Sequence, residues 1–138
     1  MSTITVSRPR SITTSILLVA VLGSIANAAV ALGAVSVGAP ANGMPLQPVA
    51  YVTLTVIASV AGAFGWRTIE VRAQRPERVF RWLVPATLLL SLVPDVILGT
   101  SGAWEWSVVL AAIAMHVATI AIAVAVYVWQ MPVRRDQL

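Results

Sequence analysis

The chain contains no cysteine, which excludes disulfides, thiol nucleophiles and cysteine-ligated metals. Charge is nearly as scarce. Only 10% of the 138 residues are acidic or basic, where soluble domains carry roughly a quarter. The single histidine, with carboxylates scattered along the chain, leaves no HExxH-type metal spacing. There is no phosphate-binding glycine loop and no Ser-His-Asp spacing, and nothing calls for a cofactor. What remains is apolar: 59% of residues are hydrophobic and the mean hydropathy is +0.89. This composition is that of an integral membrane protein, and the length suits one domain.

The apolar residues fall into runs. Between Ser11 and Ile69 the only charged residue is Arg67, a length that must hold two spans, since one needs about 20 residues. The proline- and glycine-rich stretch "GAPANGMPLQP", residues 38–48, divides them. This predicts helices over 12–37 and 49–66, a polar connector over 67–81, and further helices over 82–99 and 106–129. The expected fold class is an all-α four-transmembrane-helix bundle.

The net charge is +4 and every positive charge is an arginine. All nine arginines lie in the N-terminal tail, the 67–81 connector or the C-terminal tail. Four spans put these three segments on one side, so the positive-inside rule places both termini in the cytoplasm, with the chain in the plasma membrane. The basic balance is thus read as orienting helices, not as binding nucleic acid. Trp66, Trp82, Trp104, Trp106 and Trp129, with Tyr51 and Tyr127, sit at expected helix ends, where interfacial belts form.

One alternative concerns "SIANAAV", residues 24–30. Ala26-Asn27-Ala28 fits a small-x-small cleavage site behind Arg8 and Arg10. A signal h-region is only about 7–15 residues, however, and here the apolar run continues from Ile16 to Val37. The first helix is read as retained, and Asn27 with it. Small residues offer close helix approaches: Ala20, Ser24, Ala28 and Ala31 in the first helix, and Ala58–Gly62 and Ala61–Gly65 in the second.

Polar groups inside spans are costly, by about 2.5–3.5 kcal/mol for a charge, and mark partners or function. Here they are Asn27, Asp95 and His116, with Gln47 and Glu105 at helix entrances. At 1.5 Å per residue, Asp95 lies about 20 Å above the inner edge, Asn27 about 22 Å, and His116 about 16 Å below the outer face. In a core near 30 Å, three helices therefore bring polar groups to similar heights, between the midplane and the outer third. Eleven residues, from Glu105 to His116, return a helix to nearly the same face. Glu105, Val109, Ala112 and His116 thus trace a route inward, and Pro94 bends the third helix beside Asp95. Each residue also has a structural alternative: pairing for Asp95 and His116, helix-to-helix bonding for Asn27, loop ordering for Gln47, and a wet interface for Glu105.

The mid-helix Asn27, "LQPV" at 46–49, "SLVPD" at 91–95 and "AMHVA" at 114–118 resemble a family of small four-helix actinobacterial membrane proteins of unknown function. The resemblance spans 12–129. It implies four spans, an actinobacterial source, and Asn27, Gln47, Pro48, Asp95 and His116 as the family's residues. It implies no activity. Small lycopene cyclase subunits are a looser likeness through Pro94-Asp95 alone, and that family is not adopted.

The expected function is an intramembrane polar pocket for a small or lipid-like ligand. Asp95 would accept a proton and His116 donate one, as in an isomerase or cyclase acting on an apolar substrate. Asn27, Gln47 and Glu105 would hold the ligand. Two alternatives stand beside it: proton- or ion-coupled transport by a homo-oligomer, and an accessory subunit docked through its alanine and glycine faces.

Overall fold

A computed structural model describes residues 11–132; the tail arginines Arg8, Arg10, Arg134 and Arg135 lie outside them. The described chain contains four α-helices of 25 residues each: α1 Ile12–Ser36, α2 Pro48–Arg72, α3 Pro76–Thr100 and α4 Trp106–Gln130. All four are long and apolar enough to cross a membrane; at 1.5 Å per residue each is about 37 Å long. The helix starts follow local chemistry. Ser11 Oγ accepts from the Thr13 N–H at 3.2 Å, a short N-cap bond. Pro48 and Pro76 open α2 and α3, where proline's missing N–H costs nothing. Gly38 takes a φ of 104° just past α1, the left-handed backbone that glycine adopts cheaply at a helix end.

The connector expected over 67–81 is mostly helix. α2 runs on to Arg72, α3 begins at Pro76, and only 73–75 link them. Arg67, Arg72, Arg78 and Arg81 lie on exposed helical faces, where charge is tolerated, and Arg67 bonds Glu70 one turn ahead at 2.8 Å. One end of the molecule thus carries the 73–75 turn and its arginines. The opposite end carries a 3-10 turn, Met44–Leu46, and the 101–105 turn.

α1 packs along both α2 and α4, whereas α3 packs mainly on α4 and touches α2 only slightly. The bundle is therefore unevenly closed, with a seam between α2 and α3. Two apolar clusters hold its ends. At the arginine end, Val19, Ala63, Trp66, Phe80 and Tyr127 pack together; at the loop end, Ala31, Leu46, Val108, Ala111 and Met115 do so. Trp66 and Tyr127 correct the belt expectation. Trp66 is 6% exposed, stacks on Phe80 with centroids 3.9 Å apart, and donates its Nε1–H to the Met131 carbonyl at 3.1 Å. Because α2 does not stop at Trp66, that indole is an interior residue. The buried Tyr127 hydroxyl donates to the Ser59 carbonyl at 2.8 Å. Trp82, Trp106 and Trp129 are exposed.

Candidate functional site

Asp95 sits on the loop-end half of α3, and His116 faces it from α4. His116 Nε2 lies 3.0 Å from Asp95 Oδ2. Gly99, one turn beyond Asp95, makes this approach feasible: a Cβ there would come within 2.9 Å of Val109 Cγ2 on α4. The two side chains differ in burial, with Asp95 9% and His116 38% exposed. His116 is the close partner of Asp95 Oδ2, and that buried oxygen has no other polar group bonded to it. A buried carboxylate oxygen in that condition carries a desolvation cost that a donor from a ligand or water would offset.

The pair lines one side of a cavity of about 110 Å³, together with Met44, Tyr51, Trp104 and Met115. Glu105 and Gln47 stand apart from its lining. Glu105 is the exposed N-cap of α4 and makes no side-chain cap bond. The face expected to run from it to His116 is occupied by Val109 and Ala112, both buried. Gln47 is exposed and donates its Nε2–H to the Asn42 carbonyl at 3.2 Å, which ties the loop before α2.

Asn27 lies elsewhere, 3% exposed, and lines neither this cavity nor the larger one. Its Nδ2 donates to Thr55 Oγ1 at 2.9 Å and to Thr119 Oγ1 at 3.0 Å, joining α1, α2 and α4. Thr119 is one turn along α4 from His116, so the two polar clusters are stacked at adjacent levels. The column continues toward the arginine end: Ser59 Oγ donates to the Thr55 carbonyl at 2.6 Å, and Tyr127 bonds the Ser59 carbonyl. Nothing in the sequence marks Thr55 or Thr119 as a partner of Asn27. Threonine is common in apolar helices, and only cross-helix pairing distinguishes these two.

A second cavity, of about 380 Å³, occupies the α2–α3 seam. Its walls include Ala61 and Gly65 of α2, Leu83 and Thr87 of α3, and Ile120 and Ala123 of α4. The small-residue stripe of α2, expected to pack against a helix, thus borders an open groove along part of its length. A Cβ on Gly65 would meet nothing within 4 Å, although one on Gly62 would come within 3.0 Å of the Tyr127 hydroxyl. Among the described residues no group of three or more His, Cys, Asp or Glu could hold a metal ion.

These features define a small all-helical protein with four membrane-length apolar helices and one Asp–His pair beside a cavity. The chain belongs to a family of unknown function, DUF6069, whose model matches residues 7–131. No curated protein and no solved structure matches it.

Proposed function

We propose that this is a multi-pass plasma-membrane protein, with both termini cytoplasmic, that binds a ligand at Asp95 and His116 in its outer half. The observation that carries the reading is the buried Asp95 carboxylate, 3.0 Å from His116 and with no other partner for Oδ2, at the wall of a cavity. The orientation is supported by the five arginines of 67–81 gathered at one end of the molecule, the pattern of a cytoplasmic face.

The cavity limits the ligand. Its volume of about 110 Å³ is below that of the engineered cavity of about 150 Å³ that holds benzene. It suits a small molecule, or the polar end of a longer apolar one whose remainder lies in the bilayer. Asp95 supplies an acceptor in a low-dielectric wall, and the more exposed His116 supplies a donor. A base and an acid held side by side suit proton transfer within an apolar substrate, the step that an isomerase or cyclase requires. Asn27 has a different part: it holds three helices together and so fixes α4, which carries His116.

Organic extracts of the protein purified in mild detergent test the reading, with wild type compared to Asp95→Asn at equal folded yield. A small molecule present in the first and absent from the second is the expected result; identical extracts end the proposal.

A further inference from the structure

We propose that the α2–α3 groove is a binding site for one anionic phospholipid, with an acyl chain in the groove and the phosphate at the arginine turn. The inference rests on the membrane placement proposed above, but not on the Asp95–His116 site. Three observations point to this occupant. The groove, of about 380 Å³, is over three times the volume of the outer cavity and is lined almost wholly by apolar side chains. That volume falls within the range of about 300–1,000 Å³ typical of ligand pockets. Among the described residues, none of the buried polar atoms lacking a hydrogen bond belongs to its lining, so the groove asks for hydrocarbon and not for a hydrogen-bonding ligand.

The charge stands at one end. Gly65, Ile69 and Arg72 follow at four- and three-residue spacing along α2, which keeps them on one helical face. Gly65 and Ile69 line the groove, so Arg72 continues the same stripe one turn beyond it. Arg75 follows in the turn that joins α2 to α3, and both arginines are exposed. A hydrocarbon slot ending at two guanidinium groups matches a lipid whose headgroup carries a net negative charge. A second copy of the chain, inserted in the same orientation, would instead bring its own arginines to the same level, and like charges oppose that contact.

Native mass spectrometry tests the assignment, with protein released from micelles containing phosphatidylglycerol and phosphatidylcholine in equal amounts. Wild type is expected to retain one phosphatidylglycerol in preference to phosphatidylcholine by about thirtyfold, since each of the two arginines favours an anionic lipid by about 1 kcal/mol. Gly65→Leu projects a side chain into the groove from a position where a Cβ meets nothing within 4 Å, and should weaken retention of both lipids. Gly33→Leu, at a second helical position where a Cβ meets nothing within 4 Å, should behave as wild type. Arg72→Gln with Arg75→Gln should bind the two lipids equally.

Equal lipid retention by Gly65→Leu and wild type overturns the site. So does equal loss in Gly33→Leu, or a dimer that Gly65→Leu abolishes in place of the lipid adduct. Carbonate extraction of the source membranes separates the two readings: a chain that stays in the pellet yet holds no lipid refutes the groove alone, and a chain released into solution refutes the membrane placement beneath both.

Discussion

Thr119 and His116 are three residues apart on α4, yet the clusters around them differ in kind. Around Thr119, both amide protons of Asn27 have hydroxyl acceptors, and three helices converge on one point. Around His116, two helices meet, the acid is buried and unevenly satisfied, and a cavity adjoins it. In the first arrangement the amide donors are met from three helices; in the second one buried carboxylate oxygen has His116 alone beside it. Polar groups at the same depth in an apolar bundle can therefore serve as fastening or as site, and what separates them is whether their hydrogen-bonding capacity is met from within the protein.

Substitutions can sharpen or break that contrast. The largest effect is expected at Asn27. Asn27→Ala removes two interhelical bonds, each worth about 0.6–1.7 kcal/mol, and leaves a void. Reversible unfolding in mixed micelles should show a loss of about 2–3 kcal/mol. Gly23→Ala comes next: a Cβ there would lie 2.8 Å from Thr55 Cγ2, and pushing α1 from α2 should cost about 1–2 kcal/mol in the same assay.

Tyr127→Phe deletes the bond to the Ser59 carbonyl at the far end of the polar column, and a loss of about 1 kcal/mol is expected. Asp95→Asn should change stability least, by under about 1 kcal/mol. It gives up the contact with His116 but also removes the burden of burying a carboxylate. Were Asp95→Asn to destabilise as much as Asn27→Ala, the pair would be a fastening too, and the contrast would disappear.

The helix number was legible because apolar runs of that length have few alternatives, and because proline and glycine interrupt them. The ends of α2 and α3 were not. Arg67, Arg72, Arg78 and Arg81 look like a loop in a one-dimensional reading, yet charge is excluded only from buried faces, and helices continue beneath exposed ones. That misplacement carried Trp66 with it, since a tryptophan taken for a helix end is an interior side chain once the helix runs on. Rise per residue placed Asp95 and His116 at similar heights, and both stand out as rare residue types in an apolar context, but their contact needed the packing of α3 on α4. Asn27 was equally conspicuous, but its partners were not, and without Thr55 and Thr119 nothing told its role from theirs. The α2–α3 groove had no signature in the sequence, for it arises from what the helices fail to touch.

α3 forms a wall of both cavities: Leu83, Val84 and Thr87 border the groove, and Asp95 borders the outer cavity. Within it, Pro85 and Pro94 each lack the backbone bond to the residue four places earlier, so the stretch joining the two walls is held by fewer rungs than the rest. A tilt of this one helix changes the width of both chambers together. If both chambers are occupied as proposed, the two occupants sense one another through this shared partition, each altering the other's affinity by the same factor.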